Sequence, residues 1–385
     1  MIDVTEAESL PLDARVIESG LARLWQLAAD GSAGGVVHAS SLTLVALLTD
    51  QRLASRAGAL LAEVAPAHPC RAILVESAAG EPRARLGAFC TRPSAGRPPS
   101  CWEEIKLQGS RAALNRILSA VASLVLPNLP VQVWWPGDPD LSGRLCRRLV
   151  EIGDRMIVDS SQFGDPLASL ARYAERVEAE HGTVGFADLS WRRLEPWRLL
   201  LAQFFDAPTD RIFLNDIESI IVTYAPGDGS GPGGLAQALL LVGWLASRLG
   251  WTVAAAGRTG QRAALRQDLE RLVFDDGGRP VGVELRSRPS ESSLSPDCAG
   301  GLVSVQLRAT HDSRSAVYAI DASGENATTL AKVEGERRTA RLHLSTMTEA
   351  ELLQRELAAF GRDRIYEETL QIIRPLARRV GTARC

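Results

Sequence analysis

Between residues 111 and 166 the chain repeats one pattern twice, and few folds accommodate it. Residues 111–125 carry apolar side chains at helical spacing and lead into Val131-Gln-Val-Trp-Trp135, which stops at Pro136-Gly137-Asp138-Pro139. Residues 140–151 repeat the helical pattern and lead into Arg155-Met-Ile-Val-Asp159, which stops at Ser160-Ser161 and then Asp165-Pro166. Short apolar strands alternating with helices of this length predict parallel strands joined by crossover helices. Each Asp-Pro pair suits a helix N-cap followed by proline at the first helical position. If the two strands are neighbours, their tips open on one edge of the sheet, where ligands bind in open α/β folds. Trp135, Asp138, Asp159 and Ser160 are therefore candidates to line a crevice. Capping and turn duty accounts for the same four residues without a ligand.

The pattern extends in both directions. Residues 12–29 read as an amphipathic helix, Val36 to Leu48 as a strand, Gln51 to Val64 as a helix and Cys70 to Glu76 as a strand. This β-α-β opening predicts a parallel pair. Strands over 84–90 and 101–108 flank the Pro-rich loop 92–100, and a helix over 166–180 runs to a joint at His181-Gly182-Thr183. Beyond it, a strand over 217–224, a helix over 235–249 and a strand over 251–256 form another β-α-β unit. A helix over 262–273 follows, then strands near 281–286, 302–309, 316–321 and 339–343, and a helical tail over 348–360 and 364–380. A chain of 385 residues exceeds one ordinary core. The expectation is an α/β protein of two domains, 1–182 and 183–385, each a mixed β-sheet with flanking helices.

Charge and cysteine usage narrow the partners. A net charge of -3 gives no reason to expect nucleic acid or an anionic membrane. The longest apolar run, Ala238 to Ala246, is too short to span a bilayer. The acidic start, Met1 to Glu8, lacks the features of a signal peptide, so a cytoplasmic location is expected. Cys70, Cys90, Cys101, Cys146, Cys298 and Cys385 are scattered with no C-x-x-C pair, which argues against a zinc site and a disulfide framework. Cys385 is expected to be an incidental tail thiol.

Searches for chemistry find little. His38, His68, His181, His311 and His343 show no ligand spacing, and the chain has no H-E-x-x-H and no G-x-S-x-G. Glu103 and Glu104 are adjacent, so on a strand they point to opposite faces. Gly229, Gly231 and Gly234 match G-x-G-x-x-G between a strand and a helix, with Arg258 near the end of the next strand. Pro232 removes an amide from that loop, and a connector explains it as well as a nucleotide site. No catalytic group, metal or cofactor is expected.

The densest stretch runs from Asp188 to Asp206, with two tryptophans, two phenylalanines and three arginines in a chain that is 5% aromatic. A helix starting at Pro196 buries Trp197, Leu200, Leu201 and Phe204. The approach to it presents Trp191, Arg192 and Arg193, with Arg198 in the first turn. Tryptophan and arginine anchor interfaces, so Trp191, Arg192, Arg193, Trp197 and Arg198 are candidate partner-binding residues. A core helix with arginines paired to Asp188 and Glu195 is the alternative.

Three motifs, Val133-Trp-Trp-Pro-Gly137, Asp154-Arg-Met-Ile-Val-Asp-Ser-Ser161 and Asp188-Leu-Ser-Trp-Arg-Arg-Leu-Glu-Pro-Trp-Arg198, resemble the OpcA family. This is the glucose-6-phosphate dehydrogenase assembly protein of cyanobacteria and other bacteria. His68-Pro-Cys-Arg71 and Glu104-Ile-Lys-Leu107 are also similar to its first domain, and the resemblance extends from about Val36 to the strands after Gly301. It implies a non-catalytic partner that binds glucose-6-phosphate dehydrogenase and promotes its active oligomer. A nucleotide- or sugar-phosphate-binding α/β enzyme, using the crevice or the Gly-rich loop, is the alternative function.

Overall fold

The computed structural model describes residues 2–5, 9–30, 39–91, 100–180, 182–227, 233–254, 271–288 and 301–382. Up to residue 124 the elements are β1 (Ile2–Thr5), β2 (Leu10–Pro11), α1 (Ala14–Asp30), β3 (Leu42–Leu48), α2 (Gln51–Val64), β4 (Cys70–Ser77), β5 (Arg83–Cys90), β6 (Cys101–Gly109) and α3 (Leu114–Leu124). Next come β7 (Val131–Trp135), α4 (Arg144–Ile152), β8 (Arg155–Val158), α5 (Pro166–Ala179), β9 (Gly185–Asp188), α6 (Leu189–Arg193), α7 (Glu195–Gln203) and α8 (Pro208–Arg211). The remainder comprises β10 (Ile217–Tyr224), α9 (Leu235–Leu249), β11 (Thr252–Val253), β12 (Arg271–Asp276), β13 (Arg279–Ser287) and β14 (Leu302–His311). It ends with β15 (Arg314–Ser323), β16 (Asn326–Val333), β17 (Glu336–His343), α10 (Glu349–Ala358) and α11 (Arg364–Thr382).

These elements form two units, each discontinuous in sequence. The first is Met1–Asp159, Glu180–Leu189 and Glu349–Arg362; the second is Ser160–Ala179, Ser190–Thr348 and Asp363–Cys385. Relative to a single cut after Gly182, α5 goes with the second unit, and β9 and α10 go with the first.

The first unit is built on a nine-stranded sheet of order β1-β5-β6-β4-β3-β7-β8-β9, with β2 paired to β5. All seven residues of β3 are buried, as a strand covered on both faces requires, and it pairs in parallel with β4 and β7. Asp50 caps the following helix by accepting a 2.9 Å bond from Leu53 N. The twice-repeated pattern is there too: β7 and β8 are parallel neighbours, so their tips share an edge. Only the second Asp-Pro pair caps a helix, Asp165 Oδ1 accepting from Ala168 N at 3.1 Å. After Asp138-Pro139 the chain turns once more, Leu141 N donating to Pro139 O, and α4 starts behind Gly143.

Arg71, Glu103, Glu104, Arg155 and Glu356, all buried in this unit, are paired. Arg71 donates to Glu103 and Glu18, at 2.5 Å each, and Trp25 Nε1 donates to Glu103 at 2.9 Å. Glu104 faces the other way and pairs with Lys106, as neighbours on a strand must. Arg155 binds Glu356 at 2.5 Å and Gly361 O at 2.7 Å, and Gln132 donates to Leu357 O. Three polar bonds thus tie α10 and the turn after it to β7 and β8.

The expected isolation of the cysteines is corrected here. Cys90 and Cys101 are opposite residues of the β5–β6 pair, with Cα atoms 4.1 Å apart, and form a disulfide. Cys70 and Cys146 are buried. Burial, with Glu103 and Glu104 nearby, pushes the Cys70 thiol up to about 12, so it stays protonated and unreactive. Cys298 and Cys385 lie outside the described residues.

The second unit holds an eight-stranded sheet of order β11-β12-β13-β10-β14-β15-β16-β17. β10 pairs in parallel with β13, and an antiparallel meander runs from β14 to β17. The expected β-α-β unit does not make neighbours of β10 and β11, because β11 is an edge strand paired antiparallel to β12. Residues 262–270 of the expected helix lie outside the described residues, and 271–273 belong to β12. α9 is buried almost all round, which its run of apolar residues demands, and Gly250 ends it with a left-handed φ of 73°. α9 packs on α11 so closely that a Cβ on Gly243 would lie 3.0 Å from Ile373 Cγ1 and 3.1 Å from Thr369 O.

Candidate functional site

The aromatic stretch organises one side of the second unit. α6 is a single short helix carrying Trp191, Arg192 and Arg193, and α7 follows at once with Pro196 in its first turn. Trp197, Leu200 and Leu201 face inward as expected. Phe205 is buried beyond them, and Phe204 is half-buried. Both phenylalanine rings pack on Tyr318, with centroids 5.3 and 4.9 Å away. Tyr318 donates to Asp210 at 3.0 Å, and Arg338 pairs with the same carboxylate at 2.6 Å. Burial first, and then Asp210, raise the Tyr318 phenol above its ordinary range.

Trp191 lies inside the unit, only 3% exposed, and so does Trp197 at 4%. Neither ring is on the surface, which corrects the expectation of an accessible tryptophan anchor. Tyr366 packs on the Trp191 ring, and its indole Nε1 donates to Asp363 Oδ2 at 2.8 Å. Asp363 Oδ1 in turn accepts from Tyr366 N at 3.0 Å and so caps α11. The Arg198 guanidinium lies over the indole, 3.4 Å from the ring centroid. Burial lowers the Arg198 guanidinium to about 10; Asp363 and Glu195 act against that, and Arg192 adds to it. Arg198 therefore stays charged at neutral pH. Arg192 and Arg193 are half-buried, Arg192 lies 3.7 Å from Glu195, and Leu199 beside them is 59% exposed. Trp191 is thus a platform for Arg198, and Trp197 is a core residue.

The crevice residues divide differently. Trp135 and Asp159 are buried in the first unit, Asp138 is exposed, and Ser160 is buried where the second unit begins. At the tip of β7 a Cβ on Gly137 would lie 3.2 Å from Leu53 Cδ1 and 3.7 Å from Thr49 Oγ1. That tip is packed against the start of α2, where a ligand would need room. In the Gly-rich loop, Gly229, Gly231 and Pro232 lie outside the described residues, as does Arg258. Gly233 needs its positive φ of 66°, since a Cβ there would lie 2.3 Å from Gly227 N. Among the described residues no three His, Cys, Asp or Glu side chains gather as a metal site, and no helix is long and apolar enough to cross a membrane.

The chain is similar in sequence to known proteins. Residues 62–175 match the family description "Glucose-6-phosphate dehydrogenase subunit N-terminal domain", and residues 184–370 match its C-terminal counterpart. OpcA of Synechococcus elongatus, named for the OxPP cycle, is 32% identical over 335 residues, which is 85% of this chain and 71% of that protein. The chain belongs to the OpcA family. The OpcA proteins of Nostoc punctiforme and Synechocystis are 32% and 31% identical over 320 residues, 80% of this chain in each case. The chain spans 65% of the Nostoc protein and 64% of the Synechocystis protein. An oxidoreductase from Bacillus subtilis aligns over 89% of this chain and 98% of its own, at only 10% identity and a TM-score of 0.44.

Within the OpcA fold, Asp363, Tyr366 and Asp210 are the residues that sequence reasoning missed. Asp363 immediately precedes a helix, a position where an aspartate signals a cap. That signal locates the helix start but says nothing of the indole it also holds, 172 residues away in sequence.

Proposed function

We propose that this chain is a non-catalytic partner of glucose-6-phosphate dehydrogenase in the oxidative pentose phosphate cycle, acting in the cytoplasm without a cofactor of its own. It binds that enzyme and promotes its active oligomer. The observation that supports this reading is the ordered match to both dehydrogenase-subunit descriptions, over 62–175 and 184–370.

The docking surface in this reading is the outer face of α6 and α7. Arg192, Arg193 and Arg198 lie half-buried along this stretch beside exposed Leu199, with Arg198 held over the Trp191 ring. Forked guanidinium groups around an exposed leucine suit an acidic patch on the dehydrogenase. Arg192→Glu combined with Arg193→Glu should lower affinity about thirtyfold, the loss expected for a hot spot worth about 2 kcal/mol. Both arginines also hold neighbours, Glu195 and Ser190, so the melting temperature is measured alongside, and lost activation by a variant that is still folded supports this surface. Unimpaired activation by this double variant would move the docking surface elsewhere.

A further inference from the structure

A second feature of the first unit, a cleft between α3 and α4, has no role in that docking scheme. It is an open trough of about 420 Å³, lined by Asn115, Ser119, Arg144, Arg147, Arg148 and Glu151, all of them exposed side chains. That volume falls in the range of about 300–1,000 Å³ found for small-molecule sites. α3 follows β6 and α4 follows β7, so Asn115 and Arg144, in their first turns, lie at the edge where the parallel strands end. From that ligand-binding edge the trough runs along both helices to Glu151 in the last turn of α4.

The charge of the cleft is unbalanced. Three arginines face one carboxylate, Glu151, which pairs with Arg148 at 3.3 Å. Among the described residues Arg144 and Arg147 make no ion pair, and the first turn of α4 has no acidic residue. Positions 144, 147 and 148 share one helix face, where like charges repel each other. An anion held between them removes that repulsion. Guanidinium forks match phosphate oxygens two at a time. The other lining groups, an amide and a hydroxyl, suit the hydroxyls of a sugar rather than an apolar ring.

We propose that this cleft binds the phosphate ester of a small polyhydroxylated metabolite, with Arg144 and Arg147 on the phosphate and Asn115 and Ser119 toward the hydroxyls. The test needs only this chain, so its result is separate from that of the docking proposal. Calorimetry on the full chain would compare glucose 6-phosphate, inorganic phosphate and glucose. Saturable binding of the sugar phosphate, about tenfold tighter than inorganic phosphate and with none by glucose, is the expected result. Arg147→Glu and Arg144→Glu should each weaken it about tenfold or more, while Arg111→Glu, outside the cleft, leaves it unchanged. If either cleft variant melts early, Arg147→Lys keeps the charge but loses the fork, and should still weaken binding. Equal affinity for inorganic phosphate would reduce the cleft to an unspecific anion patch. No saturable binding up to roughly 10 mM, or full binding by both charge reversals, overturns the proposal. So does an acidic peptide that binds more tightly than the sugar phosphate, which would make the cleft a protein-docking surface.

Discussion

Asp363 does two jobs with two oxygens. One holds the Trp191 indole and the other caps α11. Replacing it with alanine removes a helix cap, worth about 1 kcal/mol, and strands a buried indole N–H at a further cost of about 1–3 kcal/mol. For a unit of this size each kcal/mol shifts the melt by roughly 2–4 °C, so Asp363→Ala should melt some 5–10 °C lower by calorimetry. An unchanged melting temperature would show that this hub does not hold the second unit together. The stretch around Trp191 was legible as important, because tryptophan and arginine are concentrated there in a chain that is otherwise poor in aromatics. Whether its rings face in or out was not legible, since that depends on Asp363 and Tyr366, which no local pattern links to it. Cys90 and Cys101 teach the same lesson. Each sits at the loop end of a predicted strand, and only the antiparallel register brings them opposite.

At the scale of elements, well-buried apolar strands and helices were readable to the residue, as β7, β10 and α9 show. β16 and β17 were harder. β17 is exposed along its whole length, and only its last residues were apolar enough to suggest a strand. The order of strands was legible where short crossovers tie neighbours, and lost where β12 inserts beside β13. The contact between α9 and α11 depends on one missing side chain. Gly243 lets the two helices approach, and valine there would push Ile373 and the Thr369 carbonyl apart. Gly243→Val should therefore cost about 1–3 kcal/mol by overpacking, measured by urea denaturation, despite the better helix propensity of the new residue. A neutral or stabilising effect would mean that the helices have slack to give.

On the scale of the whole molecule, two α/β units are interleaved along the chain, and α10 belongs to the first although segments of the second lie on both sides of it. The family match runs through both units. The central proposal is that this chain binds glucose-6-phosphate dehydrogenase and supplies no chemistry itself. The most direct measurement is light scattering coupled to size-exclusion chromatography on the two purified proteins, alone and mixed, with dehydrogenase activity assayed across the peaks. The expected result is a mixed species larger than either protein, carrying raised activity, with no turnover in the peak of this chain alone. Two unshifted peaks with unchanged activity, or turnover by this chain after repeated purification, would contradict it.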